Sequence, residues 1–253
     1  MTPTALASRL AATAAAIAVA AAALTGCAPS APKPSAAPHT AAATPTASSP
    51  SAAPTAAPSV GTSATATGAS VDVYAQPDGA VVSTLANPIP SGAPLTFLVD
   101  TASGPWLKVG LAQRPNGSTG WVKADSVVLH SLSYSLTAST VANTLSLYRD
   151  GALVKTYSAA TGTGDTPTPH GSFYVTELLA PTNEGYGPYA FGLSAFSDVL
   201  NSFGGGPGQI GLHGTDDAAS IGRAVSHGCI RLANADITEL AGILPLGTPI
   251  TIE

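Results

Sequence analysis

The sequence predicts a mainly β protein, with a small barrel followed by a larger β domain that carries a few short helices. Three observations predict it. Short runs rich in β-branched and aromatic residues alternate with turn clusters from Val71 onward. Glycine (26) and proline (22) are abundant in a chain of 253 residues, which suits many turns better than long helices. A clear helical apolar period stands out late in the chain, at Ile237, Leu240, Ala241 and Leu244.

Composition narrows the function classes. The hydrophobic fraction of 45% is inflated by alanine in the first third of the chain. Only 9% of residues are charged, 9 basic against 14 acidic, for a net charge of −5. With no basic stripe to hold a phosphate backbone, nucleic acid is not an expected partner.

The N-terminus reads as an export signal over residues 1–26. Arg9 supplies a short positive region, and residues 10–24 form an apolar run dominated by alanine. That run is too short and too weakly hydrophobic for a membrane span. Leu24-Thr25-Gly26-Cys27 then resembles a bacterial lipobox, in which Cys27 takes a diacylglycerol and becomes the mature N-terminus. The alternative is ordinary secretion with Cys27 incidental. One acyl chain binds a membrane only marginally, whereas two or more hold firmly at about 0.8 kcal/mol per buried CH₂.

Residues 27–68 are almost entirely Ala, Pro, Ser and Thr. They offer no hydrophobic period to offset the entropy of ordering, so a disordered tether is expected. Fully extended as polyproline it would reach on the order of 120 Å. His39 lies in this stretch and is given no role.

The first folded unit is expected over residues 69–130. Its strand signals are Val71-Asp72-Val73-Tyr74, residues 94–99, residues 106–111 and Gly120-Trp121-Val122. Turn clusters such as Gln76-Pro77-Asp78-Gly79 and Arg114-Pro115-Asn116-Gly117-Ser118 separate them, and several short strands in so little chain imply a small barrel. The run from Arg114 through Gly120-Trp121-Val122 resembles the bacterial SH3-like module found beside wall enzymes. Trp106 and Trp121 are candidates for a ligand platform, with core packing the plainer role for at least one of them. No titratable cluster here suggests chemistry.

The second unit is expected over residues 131–253. Asp150-Gly151 lies between two strand-like runs and signals a tight hairpin. Gly171-Ser172-Phe173-Tyr174-Val175 reads as another strand. Asn234 is placed as a helix N-cap with Asp236 in the first turn, ahead of the apolar face already named. Pro245 and Gly247 stop that helix, and residues 248–253 read as a last strand.

The chemistry concentrates in Ile210-Gly211-Leu212-His213-Gly214-Thr215-Asp216-Asp217 and Ser226-His227-Gly228-Cys229-Ile230-Arg231. With Cys27 taken by lipid, Cys229 is the one thiol of the folded part, and a free thiol in an exported chain is open to oxidation. Acyl transfer by a thiol needs a base, because a free cysteine of pKa ~8.5 is only slightly ionised at neutral pH. It also needs donors aimed at the developing oxyanion. Gly228 beside Cys229 lets backbone N–H groups approach a substrate unhindered. Two other readings stand beside this one. Cys229 is a buried structural cysteine with incidental histidines, or His213, Asp216, His227 and Cys229 hold zinc, at a spacing that fits no common zinc pattern.

His213-Gly214-Thr215 followed by Ser226-His227-Gly228-Cys229-Ile230-Arg231 resembles the signature of the L,D-transpeptidase family, with its YkuD-type catalytic domain. The likeness extends through Thr168-Pro169-His170-Gly171-Ser172-Phe173 and Tyr186-Gly187-Pro188-Tyr189 into the final helix and strand. The resemblance implies a β-sandwich with the cysteine on a loop beside a cleft. It implies Cys229 as nucleophile and His213 as general base, oriented by the carbonyl of Gly214. Backbone N–H groups near Gly228 and Cys229 are the implied oxyanion donors. Ser226, His227 and Arg231 would shape the loop and contact substrate, with a purely structural ion pair the alternative for Arg231.

The implied reaction is acyl transfer between peptidoglycan stem peptides to give 3→3 crosslinks, with no metal or organic cofactor, and with carbapenem-type β-lactams as inhibitors. The protein would act on the wall while anchored to the outer face of the plasma membrane. Two alternatives share these residues: an L,D-carboxypeptidase, in which water resolves the thioester, and a wall-binding lipoprotein without activity. The glycine-rich run Gly204-Gly205-Gly206-Pro207-Gly208 lacks the lysine of a phosphate loop and is either a lid or a surface loop. His130 and His170 are expected at solvated loop positions.

Overall fold

The computed structural model describes residues 60–253. The export segment, Cys27, His39 and the tether as far as residue 59 lie outside the described residues.

The first seven strands are β1 (Thr62–Ala66), β2 (Ser70–Tyr74), β3 (Val81–Ala86), β4 (Thr96–Ser103), β5 (Trp106–Gly110), β6 (Thr119–Lys123) and β7 (Val127–Ser131). They form one antiparallel sheet in the order β3-β2-β6-β5-β4-β1-β7. Strand alternation explains the core. Val71 and Val73 point inward while Ser70 and Asp72 stay in water, and Phe97, Leu107, Val109 and Val122 fill the same interior. Trp106 is buried and meets Tyr74 edge-on at 4.8 Å between ring centroids, so its role is packing.

β1 corrects the expected end of the tether. Composition puts Thr62–Ala66 in the tether, yet these residues pair with β4 on one side and β7 on the other, and Ala64 is fully buried. Backbone ladders on both edges hold a strand whose side chains are small, and composition alone does not register such pairing. His130 likewise stands in a strand, β7, opposite Ser63.

The second unit contains β8 (Tyr134–Ser139), β9 (Thr144–Arg149), β10 (Ala152–Ser158), β11 (Thr161–Gly162), β12 (Gly171–Leu179), β13 (Ala190–Phe196), β14 (Gln209–His213), β15 (Ala224–Ser226), β16 (Ile230–Arg231), the helix α1 (Asn234–Ala241) and β17 (Pro249–Ile252). Eight of these strands run in the order β10-β9-β8-β17-β12-β13-β14-β16, and β11 pairs separately with β15. β12 joins two layers: residues 171–174 pair with β17, and Val175 onward pairs with β13 across a register shift. Leu136, Leu145 and Leu147 from one layer and Phe191, Leu193, Ile210, Leu212 and Ile230 from the other share a single core. The result is a β-sandwich.

The β9–β10 hairpin turns through Asp150 and Gly151 at φ 51° and 79°, the left-handed pair that a type I′ turn requires. α1 buries Ile237 and Leu240 completely and Leu244 just beyond it, each contributing about 1.5–3 kcal/mol by leaving water. Asn234, however, is not the cap. Ala233 holds that position, and Asn234 Oδ1 accepts the Thr215 N–H at 2.9 Å. A nearby backbone donor with no other acceptor outcompetes the local cap. Between the two sheets, the buried Tyr174 of β12 donates its hydroxyl to the Gly110 carbonyl at 2.9 Å.

Candidate active site

Ile210 and Leu212 turn into the core, so Gly211 and His213 occupy the opposite face of β14. β16 runs parallel beside it, with Leu212 opposite Ile230 and His213 opposite Arg231. Cys229 directly precedes β16, and the pairing therefore carries the sulfur to the face that holds His213. The Gly211 N–H donates to Cys229 Sγ at 3.3 Å. A Cβ added at Gly211 would sit 3.7 Å from that sulfur and 3.4 Å from His213 Cδ2. Both side chains thus border the space that Gly211 leaves open.

His213 is buried at 3% exposure. Its Nδ1 lies 2.5 Å from the Gly214 carbonyl oxygen. A carbonyl only accepts, so the ring proton is on Nδ1 and the neutral ring keeps its lone pair on Nε2. Burial brings the imidazole pKa down from 6.5 to about 4; the Gly214 bond opposes that shift and the Arg231 charge adds to it. Burial pushes the Cys229 thiol up, against the Gly211 N–H and the Arg231 guanidinium, which favour thiolate. The resting pair at neutral pH is therefore an uncharged thiol beside an uncharged imidazole.

Neighbours fix the His213 ring. The Gly214 N–H donates to the Tyr189 carbonyl at 3.2 Å, and Asn234 holds Thr215. Gly187 and Gly214 pack directly against Asn234 Oδ1, where neither has room for a side chain. Tyr186 lies against the imidazole at 4.7 Å between centroids, and its hydroxyl is within electrostatic reach of Cys229.

Ser226 fixes the loop that carries Cys229. It is buried at 1% exposure, its Oγ donates to the Cys229 carbonyl at 2.6 Å, and it accepts the Gly228 N–H at 3.1 Å. Gly228 sits at φ 111°, a conformation that disfavours any other residue. The structure differs from the expected set of oxyanion donors at Gly228, whose N–H is engaged by Ser226 Oγ. Thr166 Oγ1 braces the loop from outside through the Ser226 carbonyl at 3.2 Å.

The remaining candidates divide. His227 is exposed, makes no hydrogen bond among the described residues, and stacks on Phe203 at 5.1 Å and 28° between ring planes. Arg231 exchanges backbone hydrogen bonds with Ala160, and its buried Nε has no partner among the described residues. The zinc alternative does not assemble: no three His, Cys, Asp or Glu side chains gather as a cation site among the described residues. His170 stands exposed in the loop before β12, with its Nε2 2.8 Å from Thr140 Oγ1. Gly211 and Asn234 were not singled out for the site by sequence. An alternating strand ending in histidine was the available signal for Gly211, whereas Asn234 carried only a capping signal.

A family model described as the YkuD L,D-transpeptidase catalytic domain matches residues 133–252. A Bacillus subtilis (strain 168) protein provisionally named L,D-transpeptidase YkuD is 35% identical over 56% of this chain and 83% of its own length. A Bacillus licheniformis protein of the same provisional name is 39% identical over 47% of this chain and 65% of its own. Among solved structures, an L,D-transpeptidase from Mycobacterium smegmatis aligns at TM-score 0.41 and 19% identity, covering 61% of this chain and 80% of that one.

Proposed function

This chain belongs to the YkuD-type L,D-transpeptidase family, and from that premise we propose that it transfers acyl groups between peptidoglycan stem peptides through a thioester on Cys229. The observation that supports this reading most directly is the fixed imidazole. His213 has its Nδ1 proton committed to Gly214 and its Nε2 lone pair free, on the strand face that also holds Cys229 Sγ.

In the proposed reaction Cys229 Sγ attacks the carbonyl of the third stem residue as its proton passes to His213 Nε2. The C–N bond to the terminal D-alanine breaks, that amine takes the proton from His213, and the thioester remains. An amine of a neighbouring stem then attacks the thioester, giving its proton back through His213 to the departing sulfur. With the Gly228 N–H engaged, the Cys229 N–H is the member of the expected pair left to face the oxyanion. Arg231, whose buried Nε has no hydrogen-bond partner among the described residues, would meet a stem-peptide carboxylate in this reaction. Ser226 holds the loop, and His227 lines its outer side.

Intact-mass measurement after exposure to a carbapenem tests the acyl-enzyme. One adduct is expected on the wild type and none on Cys229→Ala; an adduct on the variant would sink the assignment. Analysis of wall fragments separates crosslinking from trimming, since 3→3 dimers mark the transpeptidase and shortened monomers the carboxypeptidase. We further propose that the protein works outside the plasma membrane, held by lipid on Cys27, with the N-terminal sheet serving as an SH3-like wall module. Cys27→Ser should then move the protein out of the membrane fraction, and full retention there would refute the anchor.

A further inference from the structure

The glycine-rich run belongs to a loop over residues 197–208 that joins β13 to β14, the strand of His213. Its base is closed by the Ser197 N–H on the Gly208 carbonyl at 2.8 Å, and its tip is a tight turn between Phe203 and Gly206. The tip touches both sides of the site. Phe203 stacks on His227 next to the nucleophile loop, and Gly204 faces the hydroxyl of Tyr186, which lies against His213.

What holds this loop comes from the other sheet. Arg114, on the turn between β5 and β6, donates from Nη1 to the Pro207 carbonyl at 2.7 Å. Its Nη2 donates to the carbonyls of Ser197 at 3.0 Å and Leu200 at 2.9 Å. One guanidinium thus ties the outgoing stem to the returning stem, while lying over the Phe196 ring at 4.9 Å. Asn116, from the same turn, accepts the Phe196 N–H at 2.9 Å and donates to its carbonyl at 2.8 Å. The planar fork of arginine serves several carbonyls at once, which a lysine ammonium on a flexible stem does not reproduce.

We infer that Arg114 is a positioning residue for the reaction at Cys229, acting through the 197–208 loop. The N-terminal sheet thereby sets the shape of the cleft in which the acyl donor lies. This inference rests on the acyl-enzyme reading above, and the experiment keeps the two apart.

The full chain is compared with Arg114→Ala, Arg114→Lys, Phe203→Ala and the Arg114→Ala/Phe203→Ala double variant. Two readouts are followed: single-turnover acylation by a carbapenem over a concentration series, and alkylation of Cys229 by iodoacetamide read by peptide mass. Arg114→Ala should lower the saturating acylation rate by roughly 10–100-fold, the scale of a small misplacement made at a distance. It should also speed alkylation as the loop lifts, and Arg114→Lys should fall between it and wild type. The double variant should be no slower than the slower single, because both changes release the same loop. Additive losses in the double variant, or wild-type acylation and alkylation in a folded Arg114→Ala, would overturn the inference. A lower melting temperature with unchanged rates would make Arg114 a purely structural clasp and overturn it equally. If no form acylates while alkylation still responds as stated, the proposed reaction fails and the coupling of Arg114 to Cys229 stands.

Discussion

Two histidines flank Cys229, and their surroundings differ in every respect that matters for moving a proton. His213 is buried, bonded through Nδ1 to a carbonyl, and framed by Tyr186, Gly214 and the start of α1. His227, two residues from Cys229, is exposed and, among the described residues, is held by the face of Phe203 alone. Nearness in sequence does not make a base. A proton acceptor needs a fixed tautomer and a fixed direction, and only the wall built from β14 and α1 supplies them.

The sharpest way to break this contrast is to remove each ring in turn. His213→Ala should slow single-turnover acylation by roughly 10²–10⁴-fold, the usual contribution of a general base. Stopped-flow or quenched mass measurement reads it, and a loss equal to that of His227→Ala would show the assignment to be wrong.

A second difference lies in pH dependence. Since burial brings His213 to about 4 from 6.5, its acceptor form persists well below the ordinary histidine range. The acid limb of acylation in wild type should therefore fall near pH 4, and a limb near 6.5 would contradict the buried neutral ring. The same shift enters stability with a definite sign. As pH falls from 6.5, the unfolded chain takes up this proton first, so the ring's contribution is complete above 6.5 and drains away toward pH 4. Thermal melts across that window check it, with His213→Ala expected to flatten the slope. The smallest effect belongs to His227→Ala, which should cost less than about tenfold because it loses packing and no proton transfer.

The parts of this site that were legible in the sequence are those that short-range pattern encodes. Residues 71–74 read as a strand, Asp150-Gly151 gave the hairpin, and Ile237, Leu240 and Leu244 gave the apolar face of α1 that is buried. His213, Gly214 and Cys229 came together from a resemblance and stand together in space. What escaped depends on partners far away in the chain. Thr62–Ala66 is a strand because β4 and β7 flank it, which its own composition does not record. Asn234 reads as a cap until Thr215 claims its side chain. Arg114 and Asn116 read as turn residues of a small barrel, and their hydrogen bonds across to residues 196–207 have no local signature.

The pairing of β14 with β16 has a bearing on how such sequences vary. His213 stands opposite Arg231 by strand register, and the exposed turn around residues 216–219 lies between the two halves of the site without setting their distance. Insertions or deletions in that turn should be accommodated, because the ladder rather than the connecting chain measures the gap. A one-residue slip within either strand would be another matter, since it turns His213 toward the core and Leu212 toward the cleft. Natural diversity in length is therefore expected between the histidine and the cysteine, and rigidity of length is expected inside the strands that bear them.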